Sequence, residues 1–541
     1  VIKAALCVEM GVFPVQPALS TPLPEWNPGG RILFQDRTVP WTTQARSRVA
    51  GISAFGFGGT NYHAVITGYE GSEPELNDGL WSAELVIGWG SGLEDAITRT
   101  KTIMSSQHPA DSIRYIAQQC WNSRRVDSDK VQFAIVTESK DRLREQIDAI
   151  EKRGRLEQGV FLRQRKENRD GHIVGLFPGQ GSQSVNMMAE LFSAVPFAAR
   201  RLQARPRVAD AIYPGRAFSP ESTATQKDVV TDTTVAQPAL VMCSVACLDI
   251  ARRSGLVPQH WIGHSLGELT ALYAAGAVTY EEVLKVVEAR ATVMNEVISE
   301  APGAMLAVAS DAHEVSRTLK EASFEKNVTI ANDNSPHQVV LSGDEPSVMK
   351  VKELLRGRGV VAKRLNVAGA FHSRAMKPAA AKLQTLLEDM NLSCESNGSV
   401  VWANRTASPY NFSNTVKEIS SHLHSPVRFT DSIRAVRDAG ASVFVELGPK
   451  SVLSQLVQST LTDDDVLCTG VEKHGTGIVG LLSMFAELLV EGINLDLGWI
   501  FDDRAIELKG NARNHSVTLR DGRFWSSRGD LLTGSMRPAD E

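Results

Sequence analysis

The chain has 541 residues, 43% of them hydrophobic and 22% charged, and carries a formal net charge of −5. At roughly 150 residues per domain that length calls for three or four units. The slight acidic excess sets up no field for nucleic acid, so an anionic ligand would have to meet local cations. No apolar run approaches the ~20 residues of a membrane span, and the N-terminus lacks the layout of a signal peptide. The six cysteines are scattered, follow no metal-binding spacing and fit a reducing, cytoplasmic compartment. Cys243 and Cys247, one helical turn apart in QPALVMCSVACLDIA, read as small buried apolar residues.

In chain order, VIKAALCVEMGV has helical spacing and begins as if in mid-helix, which suggests a piece of a longer polypeptide. A Pro-rich loop leads to RSRVAGISAFGFGGTNYHAVITGY, two strands around a glycine-rich turn. The spacing of Gly56, Gly58 and Gly59 is not a dinucleotide fingerprint. Residues 71–84 are polar and linker-like, and residues 84–158 read strand, helix, helix, strand, helix, a compact α/β unit. Its GWGSG stretch (Gly88, Gly90, Gly92) has no lysine where a phosphate loop needs one.

A basic stretch (Arg163, Arg165, Lys166, Arg169) precedes the strand HIVGLFPGQGSQ, which ends in a glycine-rich turn carrying Gln180. After a polar interruption, SPESTATQKDVVTDTTVAQP, comes the helix PALVMCSVACLDIARRSG. The apolar pair Trp261-Ile262 then enters GHSLGE, residues 263–268, and an alanine-rich helix leaves it. Glycines two before and two after Ser265 fit a sharp strand-to-helix turn that lifts the hydroxyl clear of the sheet. The positive end of the following helix is a place to hold an oxyanion. By itself this elbow suits a hydrolase and a transferase equally.

YEEVLKVVEARATVMNEVI continues as an amphipathic helix bearing Arg290. Residues 303–367 show a β-α-β-β-α-β rhythm, a ferredoxin-like unit inserted within a larger α/β domain. GAFHSRAM brings Phe371 and His372; a helix, the strand SVVWAN, HSPVRFTDSIRAV, and the strand–turn–helix FVELGPKSVLSQLV follow. An amphipathic helix is expected within 470–500, with a polar tail after it.

Two resemblances arise from these motifs. VIKAALCVE with SAFGFGGTNYHAVI resembles the C-terminal end of a ketosynthase of the thiolase fold, over about the first 70 residues. That family's catalytic cysteine and histidines lie upstream of Val1, so the resemblance makes Phe57 a remnant of its site and leaves Cys7 and His63 without a catalytic part. FPGQGSQ, GHSLGE, an arginine in the next helix, GAFHS and ELGPKSVL, in that order, resemble the malonyl-CoA:acyl-carrier-protein transacylase family, as the acyltransferase domain of a polyketide or fatty-acid-type synthase. The unit before it resembles the ketosynthase–acyltransferase adaptor of such synthases.

The resemblance implies an α/β fold: an α/β-hydrolase-like parallel-sheet acyltransferase core with an inserted ferredoxin-like subdomain, plus an α/β linker domain. The expected units are a ketosynthase remnant at 1–70, the linker at 71–165, the acyltransferase at 166–490 and a terminal linker at 491–541. Within the acyltransferase, the core takes 166–302 and 368–490 and the insert 303–367. Ser265 is the implied nucleophile and His372 its base, oriented by backbone carbonyls in place of an acid. Leu266 and Gln180 form the implied oxyanion hole. Arg290 would grip the free carboxylate of a malonyl group, and Phe371 would limit the acyl chain. The usual pattern has His where Gly369 stands, so a slightly roomier pocket is expected.

The implied reaction is a ping-pong transfer of malonyl from malonyl-CoA to the phosphopantetheine thiol of an acyl carrier protein. The implied partners are that carrier, the ketosynthase and the other domains of one synthase; no cofactor or metal is expected to be resident. Lys363, Arg364 and Arg374 are candidates to meet CoA phosphates or an acidic carrier. The lack of a Tyr-Pro-Phe-Gln-like closing motif leans towards iterative synthases. Open alternatives are a serine thioesterase or hydrolase with a triad acid, a methylmalonyl-selective transferase, and a non-catalytic docking segment.

Overall fold

The computed structural model describes residues 1–27, 30, 32–69, 74–106, 112–124, 130–153, 156–165, 167–367, 369–392, 394, 396, 398–462 and 465–502, with three short strands beyond them. Lys166, the expected boundaries at 71 and 166 and most of the expected terminal linker lie outside the described residues.

Six strands form the central sheet, in the order Ser408–Pro409, Val400–Ala403, His260–Gly263, His172–Phe177, Ala441–Glu446, Leu467–Gly470. The first pair is antiparallel and the other four pairings are parallel. Parallel strands need both faces covered by helices, and His260–Gly263 and Ala441–Glu446 are buried at every position. Register then sets the site. Phe177 pairs with Gly263 and Leu176 with Glu446, so three strands end level with one another. The turns carrying Gln180, Ser265 and the Gly-Pro bend therefore emerge side by side at the carboxyl edge, where open parallel sheets place their ligands.

The four strands of the 303–367 stretch run Ala362–Arg364, Ala304–Val308, Gln338–Gly343, Val328–Ser335, all antiparallel, in the ferredoxin-like order. A fifth strand comes from elsewhere. Val427–Arg428 pairs parallel with Asn332 and Asp333, and Arg428 N–H also reaches the Asn404 carbonyl at 3.0 Å. Two residues behind Pro426 carry no alternation for a sequence pattern to register.

Two helical stretches depart from expectation. The polar run is not an interruption: Ser219 caps a helix at Pro220–Thr231, whose one buried residue is Val230. The following helix starts at Thr233, ahead of Pro238, because the Asp232 carboxylate accepts the Thr234 N–H at 2.9 Å and fixes the first turn. That helix, Thr233–Arg253, is apolar and long enough to cross a membrane, but 83% of its apolar window is buried inside the fold. Cys243 and Cys247 lie there fully buried, as expected.

The early segments form the expected hairpin, Val49–Phe55 with Asn61–Thr67, and an antiparallel sheet of Glu84–Gly90, Lys130–Thr137 and Val160–Leu162. Helices Leu93–Ser105, Ile113–Asn122 and Lys140–Glu151 complete that second unit. The helix expected to be amphipathic, Gly477–Val490, is apolar all round and buried on nearly every side. It packs between the strand Lys130–Thr137 and the helix Ala189–Ala194, so Phe133, Phe192 and Phe485 belong to one apolar cluster. Replacing Phe485 by Ala is therefore expected to cost about 3–5 kcal/mol, read as a fall in the denaturant midpoint.

Candidate active site

The elbow forms because two glycines let chain segments touch. A Cβ on Gly263 would sit 1.9 Å from the Gly267 carbonyl carbon, and one on Gly267 would sit 2.1 Å from the Phe177 oxygen. Ser265 between them has φ +51°, a left-handed conformation costing a non-glycine residue ~1–3 kcal/mol. Its neighbours hold it there. The Asn404 side chain accepts the Ser265 N–H at 2.7 Å and donates to the Gly263 carbonyl at 2.7 Å. Leu266 follows at the N-terminus of the helix Gly267–Ala274, and its N–H has no acceptor among the described residues.

The buried His372 ring, on the segment that follows the strand Ala362–Arg364, faces the serine with Nε2 at 2.8 Å from Ser265 Oγ. Its Nδ1 lies 2.8 Å from the His422 carbonyl oxygen and 3.0 Å from that of Ser425. Two oxygen acceptors there require the proton on Nδ1, which leaves the Nε2 lone pair facing the hydroxyl. No carboxylate stands in the acid position of a triad among the described residues. Burial first, then the charge of Arg290, lower the imidazole from 6.5 to about 3, so the ring is neutral and able to take a proton.

Arg290 projects from the helix Tyr280–Glu300 with 3% of its surface exposed. It donates to Gln237 Oε1 at 2.6 Å, approaches Ser265 Oγ at 3.4 Å, and its Nε has no partner among the described residues. Among the described residues no carboxylate pairs with it, and burial lowers it to about 10. A guanidinium enclosed in this way awaits an anion. Gln237 also points its Nε2 at Gln180 Oε1, 3.5 Å away, and Gln180 donates to Thr233 at 3.4 Å. The Gln180 N–H, like that of Leu266, has no acceptor among the described residues.

These groups line a cavity of about 310 Å³. Its floor is Gln180, Ser265, Arg290 and His372, and its roof comes from the small sheet through Met305, Asn332 and Val340. Phe371 is buried and separates it from an adjoining polar cavity that Asp228, Asn295 and Arg364 help to line. Of the six residues expected from the sequence, Gln180, Ser265, Arg290, Phe371 and His372 line this cavity, and Leu266 follows Ser265 at the start of the elbow helix. The expected extra room at Gly369 is absent, because Phe371 and Ile298 atoms stand 2.6–2.8 Å from where its Cβ would be. All three basic candidates are exposed, and Arg364 is paired with Glu345 at 2.7 Å. His63 lies on the early hairpin, bonded to Ser53 at 2.8 Å.

Sequence reading missed Gln237, Asn404 and His422. Gln237 carries a weak signal, a buried amide in an otherwise apolar helix. The other two act through backbone groups or from loops, and no spacing announces them.

The arrangement supplies a hydroxyl, a neutral base, free N–H donors and a buried cation, a set suited to acyl transfer. The model of the acyl transferase domain family matches residues 174–493. A malonyl CoA-acyl carrier protein transacylase of Bacillus subtilis is 37% identical over 292 residues, 53% of this chain and 89% of the relative. One of the chains of a polyunsaturated fatty acid synthase from a Thraustochytrium species is 28% identical over 494 residues, 83% of this chain but 17% of that protein. Among solved structures, the acyltransferase domain from the second module of the salinomycin polyketide synthase superposes with a TM-score of 0.60 at 27% identity, over 72% of this chain and 88% of that one. A family model spanning more than half of the chain, and a relative matched over nearly its whole length, place this enzyme in the acyl transferase domain family.

Proposed function

We propose that the chain moves a malonyl group from malonyl-CoA to the phosphopantetheine thiol of an acyl carrier protein, through an ester on Ser265. The observation that carries this reading is Arg290, a buried cation without an anionic partner among the described residues, 3.4 Å from the serine oxygen. Malonyl is a thioester whose far end is a carboxylate, and the guanidinium offers it two donors in one plane. Acetyl would leave that cation buried and unpaired. Phe371, walling the cavity beside His372, disfavours a branched chain by ~1–3 kcal/mol per methyl group.

In the first half-reaction Ser265 Oγ attacks the thioester carbon as its proton passes to His372 Nε2. The oxyanion is held by the Leu266 and Gln180 N–H groups, each worth ~10²–10³ in rate. Collapse breaks the C–S bond, and the departing CoA sulfur takes the proton from His372. In the second half, the carrier's thiol gives its proton to His372 and attacks the ester. Ser265 leaves with that proton restored. The carrier protein as acceptor is supported by the Bacillus subtilis relative, whose name states that acceptor. The surrounding synthase is supported by the long relatives. A triad hydrolase is disfavoured because His372 Nδ1 faces two carbonyls and no acid.

Mass spectrometry after incubation with malonyl-CoA is expected to show a stable gain of about 86 Da, one malonyl, which Ser265→Ala abolishes. Rapid CoA release with no gain, in the absence of a carrier, would favour the hydrolase instead. Arg290→Ala is expected to lower kcat/KM for malonyl-CoA by ~10²–10³ while acetyl-CoA loading is spared, measured by competition between the two thioesters. Arg290→Lys should recover only part of the loss, since an ammonium cannot make the paired contact.

The charge of Arg290 also holds His372 down, second to burial, so removing it raises the imidazole part of the way back while burial still keeps it below 6.5. Labelling of Ser265 by a neutral fluorophosphonate should stay level in the wild type down to the lowest pH at which the fold persists. In Arg290→Met the acid limb should move to higher pH; an unmoved limb would contradict the coupling.

A further inference from the structure

Within GHSLGE, Glu268 has no part in the steps above, yet it is 0% exposed in the first turn of the elbow helix. Burying a carboxylate is costly unless each oxygen finds a donor, so its partners are informative. One oxygen accepts the Asn404 main-chain N–H at 2.7 Å. The other meets His422 Nε2 in a short contact. His422 Nδ1 is buried without a partner among the described residues, which assigns the ring proton to Nε2, facing the carboxylate.

Each partner leads on to one reacting residue. Asn404 grips the Ser265 N–H and the Gly263 carbonyl, and so fixes the strained turn that presents the hydroxyl. His422 offers its own carbonyl to His372 Nδ1 at 2.8 Å, and so fixes the plane and tautomer of the base. Glu268 is also the carboxylate whose charge acts on Arg290. The loop holding His422 and the strand end holding Asn404 therefore meet on a single side chain.

We propose that Glu268 is a positioning residue for acyl transfer, whose two oxygens hold Ser265 through Asn404 and His372 through His422 as one rigid unit. This rests on the reaction proposed above for its effect on turnover, and on geometry alone for its effect on Ser265 reactivity. A carboxylate is required because it accepts from two donors on opposite sides. A glutamine has one acceptor oxygen and must turn its NH₂ towards the other donor, which breaks one of the two paths.

The test is the rate at which a fluorophosphonate labels Ser265, alongside steady-state transfer from malonyl-CoA and circular dichroism of each variant. In folded Glu268→Gln, labelling is expected to slow about ten- to hundredfold, the size of effect that an ångström of misplacement produces. The kcat for malonyl transfer should fall in parallel while KM does not rise, because Arg290 keeps its cation and loses a competing negative charge. His422→Ala should slow labelling in the same direction, and His422→Gln, whose amide can present an N–H near the Nε2 position, should recover most of that loss.

Wild-type labelling rates in folded Glu268→Gln would overturn the proposal, as would His422→Gln no faster than His422→Ala. Should Glu268→Gln not fold, the His422 pair still decides. The probe carries no malonyl group, so failure of the chain to load malonyl would sink the substrate reading and leave this test standing.

Discussion

The site depends on a place where no side chain fits. The parallel register that pairs Phe177 with Gly263 brings the Phe177 carbonyl against Gly267, and the chain must turn there within a few residues. That constraint forces Ser265 to φ +51° and starts a helix immediately behind it. The strain, ~1–3 kcal/mol, is sustained by the buried sheet on one side and the Asn404 amide on the other. A hydroxyl presented to His372, beside a Leu266 N–H that has no acceptor among the described residues, follows from the turn itself. Either glycine replaced by a residue with a Cβ would push these segments apart, and the other groups of the site would then lack a target.

The second half of the site depends on how two sheets are joined. The segment 422–428 gives the His422 and Ser425 carbonyls to His372, and then pairs as a strand with Asn332 and Asp333 of the small sheet. His264, beside the nucleophile, reaches the same sheet through Asn334 at 2.8 Å. The roof of the cavity and the cradle of the base are therefore joined through one short stretch of chain. A shift of the small sheet that opened the cavity would also disturb the imidazole. This gives the 303–367 unit a reason to be anchored by a fifth strand rather than hung on its two ends.

Features carried by local pattern were legible in the sequence. The elbow, the β-α-β-β-α-β rhythm and the small α/β unit of residues 84–158 all follow from periodicity and glycine placement. Ser265, Arg290 and His372 were reached through ordered motifs, and the fold brings them within hydrogen-bonding range. Tertiary features were not legible. Val427–Arg428 is a strand only because Asn332 and Asp333 lie beside it. Pro220–Thr231 looked like a loop because a helix lying on the surface needs almost no apolar residues. Gly369 suggested empty space, which a bulky neighbour, Phe371, occupies. Asn404 works by holding backbone groups and His422 by offering its own carbonyl, and such contacts leave no trace in a residue's own letter.

The cavity also joins selection to chemistry through one charge. Arg290 and His372 are both buried side by side, so the cation lowers the base directly. Burial first, and the guanidinium second, hold the imidazole down. On the proposed reading, an acyl chain that ends in a carboxylate pairs the guanidinium and removes the part of that depression which Arg290 causes. The base then strengthens at the moment the correct chain is bound. A chain without a carboxylate, water included, meets a site whose cation still holds the base down. Arg290 would thus discriminate twice, once by contact with the substrate and once through the proton affinity of His372. The second effect needs no motion of the protein, only the low-dielectric path between two buried side chains that Ser265 already bridges.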